Sequence, residues 1–297
     1  MDTKQTVLIT GTSSGFGFLT AKALLDQGLT VMAAMREPEK SNAHAAVALQ
    51  EHGTRNSGTL HLLSMDVADD NSVTTAVTTG LGVAGRIDVL VNNAGVGLGG
   101  FCEAVTTDQL RRLFEVNLFG VHRVTRAVLP AMRAVGKGLI INISSIMGRM
   151  VIPFAAAYTA SKFALEGLSE SWRYELGTFG IEVVIVEPGG FPTAFRHNMA
   201  KPSDATRLDA YQDLAQRQAR MTEDYAQRMS GDGAPDPQKI AEAVVSLVQM
   251  PHGTRPPRTV VDPLMDGAGS KLLNDTTAAL QGKLLAQMGL NDLYQVR

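Results

Sequence analysis

Three side chains in this sequence have the types and spacing to move a proton to or from a substrate oxygen: Ser145, Tyr158 and Lys162. Tyr158 and Lys162 stand four apart, the spacing at which helical residues share a face. An ammonium tethered beside a phenol favours the phenolate, which would lower the hydroxyl from its ordinary pKa of about 10 towards the working pH. A phenol tuned in that way donates or accepts a proton near neutrality. Ser145 lies thirteen residues before Tyr158. Delivered from the end of a neighbouring strand, its hydroxyl would hold the same substrate oxygen against the phenol. A Tyr and a Lys four apart also suit a solvated helix face, so the elements around them decide.

Those elements alternate. Residues 6–10 form a short apolar run that breaks into Gly11, Thr12, Ser13, Ser14, Gly15, Phe16 and Gly17, and residues 19–25 then read as a helix ending at Gly28. In such a strand, glycine turn and helix, the glycines let the backbone approach a pyrophosphate, and the free amides at the helix start attract its charge. A plain strand-to-helix loop is the alternative. Residues 29–35 read as a second strand followed directly by Arg36. In a dinucleotide-binding unit an acid at this strand end accepts the ribose 2′-hydroxyl, whereas an arginine accommodates a 2′-phosphate. Met35 stands where the acid would be, which favours NADP(H) over NAD(H) unless Arg36 only starts the next helix in solvent. Residues 37–50 lean helical, and a third strand at 60–65 ends in Asp66 and Val67. Asp66 would accept the adenine amino group or cap a helix starting near Asp70.

A fourth strand at 87–91 closes on Asn92, Asn93, Ala94 and Gly95, a turn too rich in amides for a plain connector. Helices at 107–116 and 119–135 leave Asn117 at a break, where it bonds the backbone or holds a water. The fifth strand, 138–143, delivers Ser144 and Ser145; a loop with Pro153 and Phe154 follows, then the helix of Tyr158 and Lys162 to about 178. A sixth strand at 181–186 ends in Glu187, Pro188, Gly189 and Gly190. These alternations predict an α/β, Rossmann-type doubly wound parallel sheet with helices on both faces. Beyond Gly190 the pattern changes: 191–209 is irregular, 208–229 is a polar helix, 235–250 a better one, 259–261 an edge strand, and 271–288 a partly amphipathic helix. The expected organisation is a single NADP-binding catalytic domain over 1–263, with a substrate lid at about 191–230, and a C-terminal helical appendage over 264–297.

Composition excludes several classes. A chain of 297 residues with 44% hydrophobic and 19% charged residues and a net charge of −2 is that of an ordinary globular protein with no basic excess for nucleic acid. No run of eighteen apolar residues and no signal-peptide pattern occurs, so no membrane partner and a cytoplasmic location are expected. The single Cys102 forms no internal disulfide, and the six histidines show no ligand spacing, so no metal is expected.

Through TGTSSGFG at residues 10–17 and NNAG at 92–95, the chain resembles the short-chain dehydrogenase/reductase family over roughly residues 4–261. The resemblance implies a catalytic set of Asn117, Ser145, Tyr158 and Lys162. Ser145 would bind the carbonyl or hydroxyl oxygen, Tyr158 act as acid or base, Lys162 tune Tyr158 and hold the nicotinamide ribose, and Asn117 anchor a proton-relay water. Cofactor contacts are implied at Gly11, Ser13, Ser14, Gly15, Phe16, Gly17, Arg36, Asp66, Val67, Asn93, Ala94, Gly95, Tyr158 and Lys162. The stretch matching PGxxxT adds Pro188, Gly189 and Thr193. Residues 140–171 are similar to members acting on hydroxysteroids and retinoids. The family usually forms homodimers or homotetramers through the helices here placed at 119–135 and 158–178.

The expected activity is therefore interconversion of a carbonyl and a secondary alcohol with NADP(H), as in a carbonyl reductase. Val96, Met147, Ile152, Phe154 and Phe191 are expected to converge as an apolar wall for a mainly apolar small-molecule substrate, larger than a short alcohol or sugar, with only Arg149 as a nearby cation. Two other readings stand beside it. One is a small-ketone or an acyl-carrier reductase of the same family, the latter docking an acidic carrier on Arg111, Arg112, Arg123, Arg126 and Arg133. A non-catalytic NADP-sensing regulator would keep the cofactor fold but have no use for the Ser, Tyr and Lys.

Overall fold

Runs of aliphatic and β-branched residues, hidden along their whole length, build the centre of the molecule: β1 (Thr6–Thr10) and β5 (Gly138–Ile143) are buried at every position. Strands of that kind belong in a parallel sheet covered on both faces. The computed structural model, which describes residues 4–294 and 296, shows that sheet. Its strands are β1, β2 (Thr30–Met35), β3 (Thr59–Ser64), β4 (Val89–Asn92), β5, β6 (Ile181–Pro188) and β7 (Arg258–Val261). All pair in parallel, in the order β3-β2-β1-β4-β5-β6-β7. Alternation along β1 sends Val7 and Ile9 to one face and Leu8 to the other. The first pair meets α1 (Gly15–Asp26) and α9 (Gln238–Gln249) through Leu24, Leu25, Val244 and Leu247. Leu8 joins α3 (Asp70–Ala84), α5 (Val121–Val135) and α6 (Ala156–Gly177) through Val73, Val128, Leu165 and Trp172. The strand order reverses between β1 and β4, which opens a ligand crevice at their carboxyl ends.

Several element bounds differ from expectation. Helix α1 begins at Gly15, inside the glycine turn, so its first amides lie in the turn itself. Helix α2 (Ala43–Thr54) starts six residues later than expected, and Arg36 sits at the exit of β2 rather than on a helix. The chain does not break at Asn117. Helix α4 (Thr107–Phe114), started by a Thr106–Gln109 capping box, runs through a π-helical stretch at Glu115–Gly120 into α5. A wider turn absorbs the extra residue that the helical pattern there cannot, and such turns recur at functional sites. The helix near Asp70 is capped by Asp69, whose carboxylate accepts from the Ser72 N–H at 2.6 Å, and not by Asp66.

Beyond β6 lie α7 (Ala194–His197), α8 (Gln212–Arg228), α9, β7 and α10 (Ala268–Met288). The C-terminal helix is docked rather than free: Ser270, Asn274 and Leu285 are buried, and Asn274 donates to both carboxylate oxygens of Glu187 at 3.0 Å. Residues 1–3 of the expected domain, and 295 and 297 of its tail, lie outside the described residues. No helix among the described residues is long and apolar enough to cross a membrane.

Candidate active site

The glycine turn is shaped by what presses on it. Gly11 has φ of 72°, and a Cβ there would come within 2.8 Å of the Ala94 backbone. A Cβ on Gly17 would meet the Asn93 amide and the Gly11 carbonyl at 2.4 Å, so helix α1 can approach only without one. The NNAG turn clamps this packing. Asn93 Nδ2 donates to Thr10 O and Gly11 O at 2.9 and 3.1 Å, and the Asn93 and Ala94 amides donate to Thr10 Oγ1 at 3.1 and 3.0 Å. Ser14 precedes α1 with no side-chain bond to the helix amides, and no acidic residue occupies the first turn. The helix start is left with unpaired donors and a positive dipole end, the chemistry that holds a phosphate. Ser13 and Phe16 flank it, and Thr193 is close enough that a Cβ on Gly15 would lie 3.6 Å from its own Cβ.

Further along the crevice, Arg36 is exposed at the end of β2 and has no ion-pair partner among the described residues. Asp66 accepts from the Ala68 amide at 3.0 Å, and Val67 is buried against Gly120. At the other end, Pro188 closes β6, and the Gly189 amide donates to Val261 O at 2.8 Å. A Cβ on Gly189 would collide with Asp262. These residues fit a dinucleotide: a cradle with no room for side chains, a phosphate-attracting helix start and an unpaired cation at the ribose end of β2.

The proton-moving residues assemble beside that cradle. Ser145 follows β5, is buried, and donates to Pro188 O at 3.4 Å while accepting from the Met147 amide at 3.1 Å. Tyr158 and Lys162 stand on the first turns of α6. The Lys162 Nζ lies 5.7 Å from the Tyr158 ring centre and donates to Ile143 O at 2.9 Å. A Cβ on Gly95 would come within 4.0 Å of the same Nζ, which puts the NNAG turn against the lysine. Asn117 is buried near it, with its oxygen accepting from the Val96 amide at 2.9 Å and its Nδ2 donating to Val96 O and Ser161 Oγ at 3.0 Å. Its two amide protons are thus spent on Val96 O in the loop after Gly95 and on Ser161 Oγ of α6.

One expectation is reversed. In this state the Tyr158 phenol is not made acidic: desolvation pushes its pKa up, against a lowering contribution from the Ser145 hydroxyl. Lys162 is itself desolvated, which lowers its pKa to about 8 despite the pull of Glu166. Burial on both partners outweighs the attraction expected from helical spacing alone.

The apolar wall is also rearranged. Phe191 turns away to pack edge-on against Phe16 at 5.5 Å, on the side of the glycine turn. Phe154, in the left-handed region at φ 64°, packs on Phe101 at 5.2 Å, which stacks on Tyr211 at 4.5 Å. Val96, Met147 and Ile152 keep part of their surface open. Two residues with no signal in the sequence reach the site from 191–230: Phe195, whose ring lies 5.6 Å from that of Tyr158, and Tyr225, which contributes to raising the Tyr158 pKa. Met199 lies against Gly97 and Gly99, Leu98 bridges Ala200, and Pro202 lies against Gly100, so this segment is pinned over the loop after the NNAG turn.

The chain is similar to known proteins in sequence and in fold. The model of the short chain dehydrogenase family matches residues 5–204. A 3-ketodihydrosphingosine reductase of Bacteroides thetaiotaomicron is 38% identical over 88% of this chain and 89% of its own length. Human retinol dehydrogenase 8 is 34% identical over 85% of this chain and 79% of its own. Among solved structures, a metagenomic short-chain oxidoreductase in complex with NADP superposes with a TM-score of 0.67 at 27% identity, covering 88% of this chain and 98% of that one.

Proposed function

The chain belongs to the short-chain dehydrogenase family, and from that premise we propose that it is an NADP(H)-dependent oxidoreductase interconverting a carbonyl and a secondary alcohol on a mainly apolar substrate. The observation that carries this is the meeting of Ser145, Tyr158 and Lys162 beside the NNAG turn and the glycine cradle. Gly11, Gly15, Gly17 and the start of α1 would hold the pyrophosphate, Arg36 a 2′-phosphate, Asp66 and Val67 the adenine, and Lys162 the nicotinamide ribose. A nicotinamide cofactor, when bound, supplies or takes up the hydride.

The remaining work belongs to the protein. Ser145 Oγ donates to the substrate oxygen and fixes it against Tyr158. The Tyr158 hydroxyl, kept protonated by desolvation, gives its proton to that oxygen as the carbonyl is reduced and recovers it in the reverse direction. Lys162, fixed by Ile143 O, is placed to favour the phenolate left behind. Phe195 and the segment pinned over residues 96–101 exclude water from the reacting carbon.

The acyl-carrier alternative is weakened by Arg123. Its guanidinium is committed to Asp70, Glu115 and the Val67 carbonyl, which removes the central arginine of the surmised docking face. A sensor would have no use for the Ser, Tyr and Lys constellation.

A panel of apolar and polar carbonyls and alcohols, followed at the absorbance of the reduced cofactor with both nicotinamides, tests the proposal. We expect turnover of apolar ketones or alcohols and a higher kcat/KM with NADP(H). Arg36→Asp should reverse the cofactor preference, because charge-assisted hydrogen bonds to a 2′-phosphate are lost. Equal or better use of NAD(H) by the unmodified enzyme would overturn the cofactor assignment, and preference for a charged sugar would overturn the substrate class.

A further inference from the structure

Arg196 sits on α7, next to the Phe195 that packs against Tyr158. Its guanidinium lies over the Tyr225 ring at 4.6 Å, and its Nη2 donates to Thr222 O at 2.6 Å. Its Nη1 is buried and has no acceptor. Among the described residues no carboxylate comes within ion-pairing distance of it, whereas Arg123, Arg255 and Arg258 each meet at least one; Arg149 also lacks one and has a buried Nε without an acceptor, but it lies against α10. A guanidinium stays charged at every relevant pH, and a hidden N–H without an acceptor is costly. The Tyr225 hydroxyl beside it has no hydrogen bond among the described residues. It occupies space that a Cβ on Gly190 would enter, at 2.8 Å, and Gly190 follows directly on the Pro188 and Gly189 of the site.

We propose that Arg196 and Tyr225 form a recognition pair for one oxyanion on the substrate, a carboxylate fitting best, so that the enzyme selects amphipathic carbonyl compounds with an apolar body and a single acidic end. The inference rests on the reading that Tyr158 acts on a mainly apolar carbonyl, and it corrects the expectation that Arg149 is the only cation near the site. Arg149 is packed beneath α10, where it donates to Thr277 Oγ1 at 2.8 Å and its charge acts on Glu166 and Glu187. A planar guanidinium with one edge bonded and the other free suits a carboxylate, and the Tyr225 hydroxyl adds a second donor beside it. Stacking on Tyr225 fixes the guanidinium plane before the ligand arrives, which reduces the entropy lost on binding.

The test uses the intact protein at saturating NADPH and a series of medium-chain oxo acids in which the spacing between oxo group and carboxylate varies, each beside its methyl ester. At the best spacing we expect the acid to be preferred over the ester by about tenfold or more in kcat/KM, the size of one charge-assisted contact. Arg196→Gln should abolish that preference, Arg196→Lys should keep part of it, and Tyr225→Phe should reduce it, all with the KM for NADPH unchanged. Equal treatment of acid and ester by the unmodified enzyme would sink the inference alone, provided the long esters are reduced well. So would an Arg196→Gln variant that lowers acid and ester equally, the mark of a mere latch for α8, or one that raises the KM for NADPH, the mark of a cofactor contact. Failure of the unmodified enzyme on both members of every pair would overturn the parent reading and this inference with it.

Discussion

Tyr158 and Lys162 show that helical spacing brings two groups together without deciding what each does to the other. Both are desolvated, which shifts each towards its neutral form, although Lys162, at about 8, still carries its charge at neutral pH. A phenol that holds its proton suits reduction, in which the substrate oxygen needs one. Tyr158→Phe should keep the fold and bind NADPH, as read by cofactor fluorescence, yet lose roughly 10²-fold to 10⁴-fold in kcat, the usual contribution of a positioned acid. A Phe variant turning over near the wild-type rate would sink the mechanism. Lys162 has the opposite charge logic. Its ammonium is present below a folded pKa of about 8 and disappears as the pH rises through it. Binding of NADPH to the free enzyme should therefore weaken as pH passes about 8, and Lys162→Met should be weak throughout with no such step. A flat wild-type titration across that window would show that the ammonium makes no contact with the cofactor.

At the scale of elements, the unexpected one is α10. It covers a group of three carboxylates, Glu166, Glu170 and Glu187, arranged around Arg258 at 3.1, 2.9 and 3.4 Å respectively. Arg258, with Arg149 acting on Glu166 and Glu187 by its charge, does not neutralise three carboxylates out of water. Desolvation, with Glu166 adding to it, raises the Glu187 pKa from 4.5 to about 7, although Asn274 of α10 and Arg258 oppose the shift. Because the folded value lies above the unfolded one, the proton held by Glu187 stabilises the fold. That stabilisation is complete below about pH 4.5 and is lost as pH rises through about 7. Glu187→Gln should remove a stability difference on the order of 1–3 kcal/mol between those two pH values. Thermal melts of both proteins across that range check this; parallel curves would mean that Glu187 titrates alike in folded and unfolded chains. Since Glu187 immediately precedes Pro188, whose carbonyl accepts from Ser145, this cluster also ties the C-terminal helix to the active site.

At the scale of the molecule, we propose that α5 and α6 pair with their copies across a two-fold axis. On α6, Ala156, Ala160, Phe163 and Gly167 form an exposed stripe at helical spacing, with Phe163 42% exposed and nothing near a Cβ on Gly167. Such a small-residue face lets two helices approach closely around each phenyl ring. Light scattering at micromolar concentration should find a dimer or tetramer, and Phe163→Asp should shift it towards monomer; a monomer alone in the wild type would refute the pairing. The strands, their parallel direction, the glycine turn, the NNAG turn and the Ser, Tyr and Lys set were all legible in the residues. Most rest on local chemistry: apolar runs bounded by turns, glycines where side chains have no room, and a Tyr and a Lys made neighbours by their spacing along one helix, while Ser145 joins them from the end of β5. What the chain order left open depended on contacts between distant segments. Asn92, Asn142 and Ser169 join β4, β5 and α6 in a buried amide chain at 2.9 and 2.8 Å, although no local pattern links them. The polar helix α8 gave no sign that Tyr225 faces the site, nor did Arg196 that it would lack a counter-ion. The direction of the Tyr158 and Lys162 shifts turned on desolvation, which depends on how completely distant segments cover a group, and that is decided only when the chain is packed.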